Sequence, residues 1–237
     1  MKQITLLSIL LISLSSSGQK FNTDTIAPMK GYLGFHFGFN YSNLQVDAGP
    51  FVFSDSLAPG SLKAVNGVGF AGGAFYEGRI LMKNGFSLTS WRIGFQFELN
   101  TAFLEYDTRR KNKEEYDIHP VCVELPVQFA YYRKPISQDI PLELNSAKAS
   151  SFAPMISIRP GIPLGFANST HPEMNNFFLF GEVGVERSLR LKSTIMTVQL
   201  SYARDLISRL KGGSNDSYNT PINSMQKDLI NFTLLFR

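Results

Sequence analysis

Hydrophobic and polar residues alternate with a period of two over long stretches of the chain after residue 25. From Tyr32 to Asn43, bulky apolar side chains fill every second position, and small or polar side chains fill the positions between them. The stretch from Trp91 to Glu105 repeats this pattern. Successive side chains of a β-strand point to opposite faces of its sheet, so each stretch predicts a strand with one apolar face.

Six further segments follow the same pattern with varying clarity. They are Val68 to Ile80, Val121 to Tyr131, Phe152 to Phe166, Phe177 to Glu186, Met196 to Tyr202 and Ile230 to Phe236. Strands of soluble sandwiches mostly have about five or six residues, whereas a strand that crosses a bilayer at about 45° needs roughly 9 to 11. Six of the eight segments have ten residues or more and match the longer class of strand.

The two predicted faces have the opposite polarity to those of a soluble barrel. The regular face carries large aromatic and aliphatic side chains, while the other face carries Gly, Glu, Arg, Gln and Asn. Unpaired backbone groups find no partner in lipid, so a spanning sheet must close on itself. The sequence therefore predicts an all-β fold, namely an eight-stranded antiparallel transmembrane β-barrel of the outer-membrane type.

The connections between these segments predict an orientation. With a periplasmic N-terminus, the outer loops are Leu44 to Asn66, Tyr106 to Asp117, Ala167 to Asn176 and Arg204 to Gln226. Outer loops of such barrels usually exceed the inner turns in length. The inner connection from Arg133 to Ser151 is an exception to this rule.

The N-terminus has the order of a secretory signal peptide. Lys2 precedes an apolar stretch from Ile4 to Leu14, and small residues follow up to Gly18. The apolar stretch is shorter than the roughly 20 residues of a membrane-spanning helix. We therefore expect cleavage after Gly18, export to the outer membrane and one mature barrel domain over residues 19–237. An N-terminal apolar strand of a cytosolic protein is the alternative.

Composition supports β structure and excludes several classes of protein. Aromatic residues make up 13% of the chain and charged residues only 18%. The 23 Lys and Arg and the 19 Asp and Glu are scattered, so no concentrated basic surface for nucleic acid is predicted. The single cysteine, Cys122, excludes an intramolecular disulfide and a cysteine-cluster metal site.

Charged residues also fall on the predicted inner face. They are Glu77, Arg79, Arg92, Glu98, Glu124, Arg159, Glu182, Glu186 and Arg190. An eight-stranded barrel is only wide enough for side chains to fill, and an unpaired buried charge is costly. We therefore expect a structural charge network that plugs the lumen. A proton or ion path, or paired catalytic carboxylates, is the sharper alternative, and an open pore would need about 16 strands.

A lipid-modifying outer-membrane enzyme is the main competing class, because some such enzymes are small barrels. Their chemistry usually needs a His near a Ser and an acid. The histidines are His36, His119 and His171, and no Gly-x-Ser-x-Gly or His-Glu-x-x-His signature accompanies them. We therefore expect no enzymatic activity, no catalytic residue, no metal and no cofactor.

One outer loop contains a charge run with Arg109, Arg110, Lys111 and Lys113. The default interpretation of such a run is a solvated surface. The functional interpretation is contact with anionic lipopolysaccharide or with a partner protein.

Four motifs resemble the PorT-like family of Bacteroidota outer-membrane barrels. They are Gly38 to Ser42, Phe103 to Tyr106, Val123 to Val127, and Tyr218-Asn219 leading to the last strand. The resemblance implies an outer-membrane component associated with type IX secretion or gliding, with membrane lipid and secretion-machinery proteins as partners. It also implies an insertion signal in the terminal strand, carried by Ile230, Phe232, Leu234 and Phe236, although Arg237 follows the last aromatic residue.

Two alternatives to a secretion role stay open. The first is a generic small outer-membrane barrel that binds a ligand or a surface through its outer loops. The second is the lipid-modifying enzyme. The sequence predicts no oligomeric state.

Overall fold

The computed structural model describes residues 31–49, 59–81, 87–108, 113–133, 152–164, 173–191, 194–211 and 222–237. The predicted signal peptide, residues 1–18, lies outside these ranges. Within them the protein is all-β, as predicted, and no helix occurs. The described part of the chain accordingly contains no helix that is long and apolar enough to span a membrane.

The described residues form twelve strands. They are β1 (Tyr32–Ala48), β2 (Pro59–Val65), β3 (Gly67–Leu81), β4 (Ser87–Asn100), β5 (Phe103–Thr108), β6 (Lys113–Asp117), β7 (Val121–Glu124), β8 (Val127–Arg133), β9 (Ala153–Pro163), β10 (Phe178–Leu191), β11 (Thr194–Asp205) and β12 (Ile222–Phe236).

Nine of these strands form one antiparallel sheet whose pairings run in a closed ring. The order is β10, β11, β12, β1, β3 and β4, followed by β7 and β8 together, and then by β9, which pairs with β10 again. The two short strands occupy one position, because their register against β4 and β9 continues without a slip across Pro126. Each of the eight predicted segments contributes a strand to this ring.

The register is staggered around the ring. The stagger can be followed by starting at Leu33 on β1 and moving each time to the paired residue on the next strand of the ring. The path passes through Tyr76, Ile93, Val127, Ile158, Gly181, Arg204 and Asp228, and it returns to β1 at Asn43. One circuit therefore displaces the register by ten residues along β1. A displacement of this kind requires the strands to tilt relative to the axis of the ring.

The two faces of the ring differ in polarity, as the alternating pattern predicts. On β1, the outward side chains of Phe35, Phe37 and Phe39 are 57%, 45% and 54% exposed. The inward His36 and Asn40 between them are buried. Large exposed hydrophobic residues continue around the other strands of the ring, and most of its buried inward residues are polar or charged.

A second sheet of three strands, in the order β2, β5 and β6, was not predicted. We call it the cap sheet. The prediction of loops over Leu44 to Asn66 and Tyr106 to Asp117 is therefore wrong, since these stretches contain all of β2 and β6, half of β5 and the end of β1. The predicted strand from Trp91 to Glu105 is also divided, because β4 ends at Asn100 and β5 starts in the other sheet.

The strands β1 and β12 extend beyond the ring toward the cap sheet. Their pairing continues to Ala48 and Ile222, whereas the pairing of β1 with β3 stops at Ser42. The predicted loop from Arg204 to Gln226 is therefore also wrong at its end. A hydrophobic cluster joins the extended strands to the cap sheet, with Leu44, Leu104, Tyr106, Ile118, Leu210, Ile222 and Met225 as its buried members. The cap sheet thus has a core of its own at one end of the ring.

Candidate functional site

Charged side chains inside the ring form two clusters at different heights. The first cluster lies toward the start of β1 and the end of β12 and contains Glu77, Arg92, Glu186 and Arg237. The second lies toward the cap sheet and contains Glu98, Glu124, Arg159, Glu182, Asp205, Arg209 and Lys227. We call them the terminal cluster and the cap-side cluster.

Arg92 on β4 is the centre of the terminal cluster. Its Nε lies 3.0 Å from Oε2 of Glu77 on β3, and its Nη1 and Nη2 lie 2.5 and 2.8 Å from the carboxylate of Glu186 on β10. The Tyr132 hydroxyl donates to the same carboxylate, and Arg237 forms an ion pair with Glu77. Two arginines thus face two glutamates, and the contacts of Glu186 with Arg92 and Tyr132 join strands that are not neighbours in the ring.

Arg159 on β9 occupies the same place in the cap-side cluster. Its guanidinium lies 2.9 Å from Glu98 and 2.7 Å from Glu124, and its Nη1 lies 3.5 Å from Glu182. Lys227 on β12 adds a second cation, 2.9 Å from Oε1 of Glu98. All of these side chains are buried. The arrangement therefore pairs charges that would be costly to bury alone.

Arg209 closes the cap-side cluster below the cap sheet. It is fully buried, lies 2.5 Å from Asp205, and its carbon Cζ sits 4.3 Å from the centre of the Phe178 ring. Its Nη1 also lies 2.9 Å from Nδ1 of His119, a residue that adopts a positive φ of 50° in the turn before β7. Burial lowers the pKa of His119 to about 3, and the positive charges of Arg209 and Lys227 act in the same direction.

A cavity of about 50 Å³ lies between the two clusters. Its lining includes His36, Gln96, Gln128, Ser157 and Gln199. Each enclosed water needs roughly 10–15 Å³ of such volume, so the cavity has room for about three or four waters. Drug-sized ligands occupy pockets of about 300–1,000 Å³, so this cavity does not fit an organic substrate of that size.

The predicted network residues Glu77, Arg92, Glu98, Glu124, Arg159, Glu182 and Glu186 all belong to the two clusters. The side chains of Arg79 and Arg190 lie outside the described residues. Four members of the clusters were missed: Asp205 and Arg209 fell in a predicted loop, Lys227 between that loop and the last predicted strand, and Arg237 after that strand. The polarity pattern carries no signal for Lys227, because Lys227, Asp228, Leu229 and Ile230 do not alternate between polar and apolar side chains.

The remaining predicted residues lie on the outside of the molecule or beyond its described part. Arg109, Arg110, Lys111 and His171 lie outside the described residues. Lys113 starts β6, and its Nζ lies 2.8 Å from Oε1 of Glu105, which lowers the pKa of that carboxyl. Of the predicted insertion signal on β12, Ile230 and Phe232 are exposed, and Leu234 and Phe236 are half-buried.

His36 is the histidine nearest the central cavity. Its Nε2 lies 3.1 Å from Oε1 of Gln96, whose amide donates to Glu124 at 2.7 Å. Cys122 is buried, and its thiol donates to the backbone oxygen of His119. Over the residues that the structure describes, no group of three or more His, Cys, Asp or Glu is arranged to hold a metal ion.

Comparisons with known proteins add little to this geometry. No family model matches the chain, and no curated protein matches it. Among solved structures, an acetoacetate decarboxylase-like enzyme from Sphingomonas wittichii RW1 is 8% identical, with 85% of this chain and 90% of that chain covered. The TM-score is 0.16, so this likeness carries no argument about fold or activity.

Proposed function

We propose that the protein is a non-enzymatic outer-membrane β-barrel that acts as an accessory or structural component of the membrane. The observation that carries this proposal is the reversed polarity of the closed ring. Large hydrophobic side chains cover its outside, while buried charges fill its inside. In water such a surface would be an aggregation hazard, whereas lipid provides the partner that it lacks.

The dimensions of the ring support a membrane span. On β1 the outward apolar positions run from Leu33 to Tyr41, which matches the roughly 9 to 11 residues of a spanning strand. With about 3.3 Å per residue and about 4.8 Å between strands, a displacement of ten residues around eight positions corresponds to a tilt of roughly 41°. Spanning barrels have tilts of about 35–45°.

The interior favours a plugged barrel over a channel or an enzyme. Ion pairs such as Arg92 with Glu186 and Lys227 with Glu98 cross the inside of the ring. Each carboxylate of the two clusters contacts an arginine or a lysine within 4 Å. Carboxylates held in this way stabilise the closed ring and are poorly placed to exchange protons with a substrate.

The resemblance to PorT-like proteins extends this proposal to secretion. With the termini on the periplasmic side, the cap sheet projects from the outer face and offers a folded surface to a partner protein. The supporting role in type IX secretion or gliding rests on the resemblance alone. The competing role is a generic barrel whose outer face binds a ligand or a surface.

The first experiment tests the barrel. The chain with its N-terminal segment is expressed in a Gram-negative host, and the outer-membrane fraction is run on a gel with and without boiling. We expect protein in that fraction whose mobility changes on boiling, since closed barrels resist unfolding in detergent. A soluble periplasmic protein that migrates identically in both lanes would show that the proposal is wrong.

The second experiment tests secretion. The gene is deleted in its own host, and the proteins released into the medium are compared with those of the parent strain. Loss of secreted cargo, restored by the intact gene and by a His36→Ala variant, supports an accessory role without catalysis. Unchanged secretion would favour the generic barrel, and failure of His36→Ala alone would favour the enzyme.

A further inference from the structure

The apolar surface of the ring ends abruptly along three neighbouring strands at the cap end. Tyr202, Ile230 and Tyr41 form one outward row on β11, β12 and β1. The next row consists of Arg204, Asp228 and Asn43, which pair in the same register. The change from apolar to polar side chains therefore takes one step along each of these strands, although exposed Leu206 and Ile207 follow the end of β11. A step of this kind marks the edge of a lipid bilayer, where tyrosines commonly lie.

Arg204 is held in place on this outer surface. Its Nη2 donates to Oε1 of Gln226 at 2.9 Å and to Oε1 of Gln45 at 3.4 Å, and its Nε lies 3.7 Å from Oδ1 of Asp228. Gln45 also donates to Oδ2 of Asp228 at 2.5 Å. The arginine side chain stays 48% exposed, while that of Asp228 is only 8% exposed. The guanidinium of Arg204 is therefore accessible at the surface, while the carboxylate of Asp228 that orients it is buried.

A groove of about 360 Å³ lies next to this arginine, since Asp228, its ion-pair partner, is part of the lining. Its lining consists of Tyr41, Asn43, Tyr202, Asp228 and Ile230. The Tyr41 hydroxyl accepts a hydrogen bond of 3.0 Å from Nδ2 of Asn66, which fixes one wall. Tyr202 is the other wall, and Ile230 between them is the apolar floor. An amphiphile fits this shape, with its chain along the apolar face and its head group at the arginine.

We propose that Arg204 and the groove between Tyr41 and Tyr202 bind the phosphorylated head group of an outer-leaflet glycolipid. A guanidinium is a planar donor that suits phosphate oxygens, and the Nη1 of Arg204 is the nitrogen that the contacts to Gln45, Gln226 and Asp228 do not use. Tyrosine rings and the Asn43 amide supply the stacking surface and the hydrogen bonds that a sugar accepts. The site rests on the proposed membrane function, and the glycolipid follows from the outward position proposed for the cap end.

The test uses purified protein in detergent and native mass spectrometry to count bound lipids. The probe is diphosphoryl lipid A, with dephosphorylated lipid A and phosphatidylglycerol as comparisons. We expect Arg204→Gln to weaken the binding of diphosphoryl lipid A about tenfold, the effect of losing one charge-assisted hydrogen bond. Arg204→Lys keeps the charge without the planar fork and should lie between the two. Lys211→Gln, which removes another exposed and ion-paired cation from the cap side, is the matched control.

Two further arms keep the outcome decisive. Tyr202→Leu retains the apolar surface and removes one wall, so it should weaken lipid A binding even if Arg204→Gln fails to fold. Equal binding by wild type, Arg204→Gln and Tyr202→Leu would overturn the site, as would wild-type binding that does not depend on the phosphates. If phosphatidylglycerol binds as tightly as diphosphoryl lipid A and its binding depends on Arg204 in the same way, the proposal that the ligand is a glycolipid is wrong.

The heat-dependent gel shift of every variant separates this result from the proposed function. If the variants keep the gel shift but bind diphosphoryl lipid A as tightly as the wild type, only the proposed lipid site is contradicted. A wild-type protein without the shift, found in the soluble fraction, contradicts the membrane span itself and the site with it.

Discussion

Lys227 and Glu98 form an ion pair across the inside of the ring, with 2.9 Å between Nζ and Oε1. They lie 129 positions apart in the sequence and come from β12 and β4, which are not neighbours in the ring. Both side chains are essentially inaccessible to solvent. The stability of the ring therefore depends on charges that would be unfavourable inside it if either were alone.

Replacement of Lys227 by methionine tests this dependence. In this variant the cation that remains next to Glu98 is Arg159, which also contacts the carboxylates of Glu124 and Glu182. We therefore expect the free energy of unfolding to fall by about 3–5 kcal/mol. Urea unfolding in lipid vesicles, followed by Trp91 fluorescence, measures it. The double variant Lys227→Met/Glu98→Gln should recover part of the loss. The exposed pair of Lys113 with Glu105 is the control, and Lys113→Met should leave the free energy of unfolding nearly unchanged, because solvent screens an exposed ion pair.

The charges of the cap-side cluster do not balance, and this makes its glutamates unequal. Four carboxylates, Glu98, Glu124, Glu182 and Asp205, face the three cations Arg159, Arg209 and Lys227. Oε1 of Glu124 is buried without a hydrogen-bond partner, whereas both oxygens of Glu98 contact cations. We expect Glu124→Gln to retain or raise the thermal midpoint and Glu98→Gln to lower it. The reverse order would contradict the assignment of the excess charge to Glu124.

A charge placed on the outer face tests where the membrane lies. Phe37 is the middle of the outward positions from Leu33 to Tyr41, so Phe37→Arg should destabilise the inserted protein by about 2–4 kcal/mol. Asp47→Arg, on the part of β1 beyond the ring, should have little effect. Unfolding from vesicles and the yield of heat-modifiable protein provide the measurements. Equal effects at both positions would argue against a lipid-facing band at Phe37.

The cap sheet and the ring should lose structure separately. Tyr106 is fully buried in the cluster that joins the cap sheet to β1 and β12, and it packs edge-on against Tyr116 with 5.4 Å between ring centres. Tyr106→Ala should weaken this cluster by about 3 kcal/mol. Hydrogen exchange should then accelerate in β2, β5 and β6 and stay slow in β9 and β10. Simultaneous loss of protection in both sheets would show that they form one cooperative unit.

His119 should make the protein sensitive to acid. Its pKa in the folded protein is about 3, below the value of about 6.5 for an unfolded chain, so below pH 6.5 the unfolded state binds a proton that the folded state does not. Folding is therefore destabilised progressively as the pH falls from about 6.5 toward 3. The variant His119→Asn keeps the backbone conformation, since asparagine tolerates a positive φ, and its amide side chain does not titrate.

The measurement for His119 is the urea midpoint of both proteins at several pH values in that window. The wild type should lose stability relative to His119→Asn as the pH is lowered. Parallel profiles would show that the other titrating groups account for the acid sensitivity and that His119 does not contribute.

The closed interior of the ring was only partly predictable. The alternating pattern identified Glu98 and Arg159 as inward residues, and the structure places their side chains 2.9 Å apart. Nothing in the pattern indicated that Lys227 would be the other partner of Glu98, or that Arg237 would reach Glu77. These contacts join residues that are more than a hundred positions apart, and the stagger of the ring decides which of them meet.

The cap sheet escaped prediction for a different reason. β2 and β6 have only seven and five residues, too short for a periodic pattern to stand out against loop sequence. The alternating residues of the cap sheet, such as Leu62, Leu104 and Tyr116, become informative only once the cluster that they share is visible. The segment from Trp91 to Glu105 was predicted as one strand because Phe103 continues the alternation of β4, although Phe103 belongs to the cap sheet.

The sequence by itself determined that the chain is all-β, which eight segments form the ring, and which side chains of each strand share a face. These properties follow from a period of two that is written locally, residue by residue. Tertiary structure alone decided the ten-residue stagger, the division of the charges into two clusters and the existence of the cap sheet. These depend on which distant strands pair and in what register, and neither is encoded within a single strand.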